Sequence, residues 1–102
     1  MSRPLDALQE ADFAPHLGTP FRLHPPEGEP LELVLTEVRA HPHLPGPAGR
    51  RHGFSLTFRS ALPRPLPQAI YRLDHDHLGS LELFLVPIGP RAGGMGYEAV
   101  FN

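Results

Sequence analysis

Apolar side chains recur at every second position along most of this chain, the period of a strand with one buried face. The clearest case lies in the back half. The runs Ala69–His75 and Ser80–Ile88 flank Asp76-His77-Leu78-Gly79. Asp at the first turn position and Gly at the fourth are the chemistry of a type I turn with a left-handed glycine. A three-residue loop, His77 to Gly79, makes Asp76 and Ser80 the flanking pair. His75 then faces Leu81, Leu73 faces Leu83 and Tyr71 faces Leu85 on a buried side. The other side pairs Asp74 with Glu82, Arg72 with Phe84 and Ile70 with Val86. A two-residue loop would set Leu73 against Glu82 and mix the faces, so the pattern selects the longer one. Arg72 lies diagonal to Glu82 and two residues from Asp74, where it screens two carboxylates that would otherwise oppose each other.

The same alternation predicts further strands. Pro20–His24 carries Phe21 and Leu23 on one face. Leu31–Val38 carries Leu31, Leu33 and Leu35 on one face and Glu32, Val34, Thr36 and Val38 on the other. Phe54, Leu56 and Phe58 mark the next strand, with Ser55, Thr57 and Arg59 opposite. Tyr97, Ala99 and Phe101 mark the last. At the front, Pro4 to Phe13 reads as a short helix with proline in its first turn. Asp12 is placed to cap a second turn through Leu17, ended by Gly18. Pro25–Gly28 is a turn, Ala40 to Gly53 a long loop, and Pro63, Pro65 and Pro67 stiffen a linker into the hairpin. Pro87 ends its strand or marks an edge, and Gly89–Gly96 is a flexible connection containing Arg91. About six short, mostly antiparallel strands result. One flat sheet would leave Val34, Val38, Phe84, Val86 and Ile88 on an open apolar face. The fold class expected is therefore mainly β: a small antiparallel barrel or sandwich of about six strands, with a short N-terminal helix covering one end.

Composition sharpens this picture only in places. The 102 residues make one domain, 1–102, with 40% apolar and 20% charged side chains. Fourteen prolines and ten glycines are many, but they fall between the apolar runs and read as loop punctuation. All nine basic residues are arginine, and the formal charge of −2 argues against a dedicated nucleic-acid binder. With no cysteine there is no disulfide framework and no thiolate zinc site. No apolar run approaches a membrane span and Met1–Asp6 lacks a signal core, so a cytoplasmic location is expected.

Candidate chemistry is thin. Seven histidines invite a metal reading, because His75 and His77, and His41 and His43, stand two residues apart. No further ligands are spaced to complete a tetrahedron, so no metal and no cofactor is expected. Asp74, His75, Asp76 or Glu82 could serve a hydrolase as acid and base, but no nucleophile motif or phosphate loop accompanies them, and no enzymatic activity is expected. The histidine and arginine residues His41, His43, Arg50, Arg51 and His52 form a candidate ligand loop, able to meet a carboxylate or phosphate. The mixed face of Ile70, Arg72, Phe84 and Val86 is a candidate interface, since apolar side chains beside an arginine are typical of protein–protein contacts.

Several segments are also similar to a known pattern. Phe13, Leu17, Gly18 and Phe21 match a Phe-x-x-x-Leu-Gly-x-x-Phe opening. Tyr71, Leu73, His75, Leu78 and Gly79 match a Tyr-x-Leu-x-His-x-x-Leu-Gly hairpin, and Tyr97 to Asn102 match a closing Tyr-Glu-Ala-x-Phe-Asn. The chain thereby resembles an uncharacterised bacterial family of small β-domains found near phage-tail-like, tail-collar-type genes. The resemblance covers nearly the whole chain. It implies a structural or adaptor role through a protein partner or self-association, incorporated into a phage-tail-like particle, and it supplies no catalytic residues. A small-ligand or carbohydrate-binding domain, using the His41–His52 loop and a barrel mouth, is the alternative. A His75-based metal-dependent enzyme stands behind both.

Overall fold

The computed structural model describes residues 8–45, 52–62, 65–91 and 93–101. Among these, a one-turn helix α1 (Glu10–Phe13) runs into a 3₁₀ turn (Ala14–His16). Six strands follow: β1 (Pro20–His24), β2 (Leu31–Pro45), β3 (His52–Ser60), β4 (Ala69–His75), β5 (Gly79–Arg91) and β6 (Gly94–Phe101). They close a barrel in the order β1-β2-β3-β6-β5-β4, every pair antiparallel. Of the two β arrangements expected, the barrel is the one formed. Closure pairs Arg22–His24 of β1 with Arg72–Asp74 of β4. No helix among the described residues is long and apolar enough to cross a membrane.

The alternation places one apolar set inside. Phe21 and Leu23, Leu33 and Leu35, Phe54, Leu56 and Phe58, Tyr71 and Leu73, Leu81 to Leu85 in steps of two, and Tyr97, Ala99 and Phe101 are all buried. Burying a leucine- or phenylalanine-sized side chain stabilises the fold by roughly 1.5–3 kcal/mol. The aromatic rings interlock: Phe54 stacks on Phe101 with centroids 4.5 Å apart, and Phe21 meets Phe58 edge-on at 5.2 Å.

Both ends of the barrel are stoppered. At one, Phe13 of α1 is fully buried between Phe54 and Phe101, with centroids at 6.0 and 5.7 Å, and Leu8 is buried beside the core. The helix therefore covers an end, as its sequence implied. At the other end Leu66, in the segment leading into β4, packs against the core. Two tyrosines rooted in the barrel hold it. The Tyr97 hydroxyl accepts the Leu66 N–H at 2.9 Å, and the Tyr71 hydroxyl donates to the Pro67 carbonyl at 2.6 Å. Burial pushes the Tyr71 phenol above its ordinary pKa, with Tyr97 adding to the effect, so it stays a donor.

Several local expectations are corrected. The hairpin of β4 and β5 keeps its faces, but each β4 residue meets a partner two residues earlier in β5 than expected: Tyr71 faces Leu83, Leu73 faces Leu81, Arg72 faces Glu82, Ile70 faces Phe84 and Asp74 faces Ser80. The cause is His75, whose Nδ1 accepts the backbone N–H of His77 at 3.0 Å and of Leu78 at 3.2 Å. The chain turns around that ring, leaving Asp76–Leu78 as the loop and Gly79, at φ 76°, opposite His75. In β2 an irregularity between Leu35 and Glu37 reverses the faces, so Val38 packs against the core rather than lying outside. Asp12 lies within α1 and its carboxylate accepts the Gln9 N–H at 2.8 Å, closing the first turn, while the position before the following 3₁₀ turn is held by Phe13. The rest of the expected helix, before Leu8, falls outside the described residues. Pro87 neither ends β5 nor marks an edge: the strand passes an irregularity between Pro87 and Gly89 and continues to Arg91, paired with Gly94. The predicted Gly89–Gly96 connection is thus mostly ladder.

Candidate functional site

The outer face of β4, β5 and β6 carries three exposed large apolar residues, Ile70, Phe84 and Val100, while Leu17 and Leu62 are exposed outside these strands. In β4 the inward residues are Tyr71 and Leu73, so Ile70 and Arg72 point out; in β5, Glu82 and Phe84 do. Ile70 lies directly across from Phe84, and the two are 68% and 52% exposed. Val86, half-buried, pairs with Glu98. Beyond Glu98 on the neighbouring β6, Val100 alternates outward between buried Ala99 and Phe101 and is 54% exposed. Ile70, Phe84 and Val100 therefore all face outward on three adjacent strands, and extending the Val86–Glu98 pairing by two residues aligns them in one apolar row. Val100 was missed from sequence, because its strand was read only through its buried partners Ala99 and Phe101.

Arg72 does not pair with Phe84 as expected. It stands opposite Glu82, with its Nε 3.6 Å from Asp74 Oδ1. There it joins a polar network that ties β1, β4 and β5 together. Asp74 Oδ2 is 2.7 Å from His24 Nε2, and the Ser80 hydroxyl donates to Asp74 Oδ1 at 2.7 Å. The Ser80 hydrogen bond, then those from His24 and the nearby Arg72 charge, hold the Asp74 carboxyl below its ordinary pKa against the opposing effect of burial. Arg22 and Asp76, both exposed, lie 3.8 Å apart at the margin. The serine here bonds the carboxylate and not an imidazole, so these groups are arranged to bridge strands rather than to activate a nucleophile.

His75 sits inside the barrel and not on a surface, 6% exposed, with its ring 4.4 Å from Phe21. His16 and His77 gather around it, at 4.6 and 5.9 Å between centroids, and stack on each other at 5.6 Å. Both His75 ring nitrogens already have partners in the fold. No group of three or more His, Cys, Asp or Glu among the described residues could hold a metal ion.

The candidate ligand loop is taken apart by the structure. His41 and His43 belong to β2, and His52 begins β3 opposite Pro45. His41 is half-buried, with Nε2 3.0 Å from the Ser55 hydroxyl. Arg50 and Arg51 lie outside the described residues. The β2–β3 ladder thus enters both flanks of what read as a loop, pairing Ala40 with Phe54 and His41 with Gly53 and, past an irregularity, Pro45 with His52. The barrel mouth expected beside it is filled by Phe13, Phe54 and Phe101. A groove of about 460 Å³ lies instead at the linker end, between Pro25, Pro26, Leu66, Pro67 and Tyr71.

The family model for a domain of unknown function, DUF6916, matches residues 8–101. No curated protein and no solved structure matches the chain.

Proposed function

The chain belongs to the DUF6916 family, and from its surface we propose that it is a non-enzymatic structural or adaptor module that works by contact with another protein. The observation that carries this reading is the apolar row Ile70, Phe84 and Val100, standing in solvent on a barrel whose interior is already full. Large apolar side chains side by side on a small domain lose exposed area only by meeting another surface. Phe84 is the anchor, because a central aromatic dominates such contacts, with Arg72 and Val86 at its margin. The setting we propose is a phage-tail-like assembly, supported by the similarity of the opening, hairpin and closing segments. The residues of those segments that lie in the barrel build the fold: Phe13, Phe21, Tyr71, Leu73, His75, Leu78, Tyr97 and Phe101 are all buried. The outward row is left free for recognition.

The test is Phe84→Glu, measured by light scattering for self-association and by copurification with the products of adjacent genes. The variant keeps the wild-type circular dichroism and thermal midpoint but loses association. Unchanged association, or an unfolded variant, overturns the assignment. A second reading, small-ligand or carbohydrate binding, draws on the groove beside Pro25, Pro26 and Tyr71. A thermal-shift screen separates the two, since a ligand at a hundred times its dissociation constant adds about 2.7 kcal/mol of stability.

A further inference from the structure

We infer that His75 is a pH-sensitive lock, whose neutral ring holds the β4–β5 turn shut and whose protonation releases it. The argument begins with hydrogen-bond chemistry. Nδ1 accepts two backbone N–H groups, from His77 and Leu78, so it carries no proton. The proton of the neutral ring is therefore on Nε2, which donates to the Thr19 hydroxyl at 2.9 Å. That hydroxyl in turn donates to the His16 carbonyl at 2.6 Å. One imidazole thus joins the β4–β5 turn to the segment leading into β1, across 56 residues of chain. Only the neutral Nε2–H tautomer fits, because a proton on Nδ1 would point at two donors.

The surroundings reinforce this. His75 is buried, Phe21 of β1 lies against its ring, and Leu78 of the turn is 5% exposed. The charged or titratable groups facing it are His16 from the 3₁₀ turn, Arg22 from β1, and Asp76 and His77 from the turn itself. His16, His77 and Arg22 oppose a positive charge on His75, and Asp76 alone favours one. Burial is the largest influence, and the net result is a pKa below that of a free histidine. Protonation removes both acceptor contacts to the turn. Acid therefore loosens one corner of the barrel, exposing the His77 and Leu78 amides while the β3–β6 ladder stays closed.

The experiment is amide exchange read residue by residue by NMR from about pH 7.5 to about pH 5, together with the ring ¹⁵N shifts of His75. Protection factors of His77 and Leu78 are expected to fall by about tenfold or more across that range, while those of Leu56 and Ala99 hold. In His75→Asn, whose side-chain oxygen occupies the place of Nδ1 but does not titrate, the pH dependence is lost. In His16→Asn/His77→Asn it persists. The wild-type ring shifts need no variant: an Nδ1–H tautomer, or titration at or above the ordinary histidine value, overturns the proposal. So does constant protection of His77 and Leu78, or loss of the effect in the double variant.

Discussion

Replacing the two tyrosines that reach out to the linker should separate two kinds of hydrogen-bond loss. Tyr97→Phe removes the acceptor of the Leu66 N–H, and Leu66 is packed against the core. A backbone donor deprived of its partner in a half-buried place costs about 1–3 kcal/mol, at the lower end where water can reach it. We therefore expect a loss of about 1–1.5 kcal/mol, or roughly 5–10 °C in the thermal midpoint of a domain this size. Tyr71→Phe removes a donor instead, and the Pro67 carbonyl belongs to an exposed residue that water can serve. Its cost should be smaller, about 0.5–1 kcal/mol. Because both hydroxyls fasten the same short stretch, the double variant should cost less than the sum. Urea unfolding supplies the energies, and exchange of the Leu66 amide reports the local consequence. Equal costs, a reversed order, full additivity or an unaltered Leu66 exchange rate would refute the reasoning.

Other consequences can be checked in the same preparations. Phe13→Ala empties the plug between Phe54 and Phe101 and should cost about 3–5 kcal/mol in urea unfolding; a loss under about 1 kcal/mol would mean the barrel end is not sealed by this ring. Asp74 has a folded pKa below the ordinary 3.8, so its contribution is fully present above that value and is lost as pH falls toward the depressed folded one. Asp74→Asn should therefore flatten the acid limb of the stability profile, and a limb of unchanged slope would remove the polar network as its source.

How far the amino acids announce this architecture depends on the range of the information. The faces of Phe21 and Leu23, of Phe54, Leu56 and Phe58, and of Leu81, Leu83 and Leu85 follow from a period of two and are as read. Alternation is blind to a shift of two residues, because every side chain stays on its own face. That is why the β4–β5 faces were legible and the pairing was not: the register is set by the His75 ring taking two turn amides, a contact with no signature in hydrophobicity. Val38 was assigned outward for a related reason, since nothing in Leu-Thr-Glu signals the irregularity that reverses β2. Ile70 and Phe84 are legible as outward apolar residues, whereas Val100 joins their side only once β6 is placed next to β5. The choice of barrel over sandwich was also hidden, because it rests on β1 meeting β4 from far along the chain.

That meeting has a kinetic meaning. The hairpins β4–β5 and β5–β6 join neighbours in the chain and can form early, for little loss of chain entropy. The seam of β1 with β4 rewards a far longer closure with a short ladder, Arg22–His24 against Arg72–Asp74, where His24 and Asp74 lie 50 residues apart. It should therefore be the last joint made on the way to the native state and the first to part. Substitutions there would hasten unfolding while leaving the rate of folding nearly untouched.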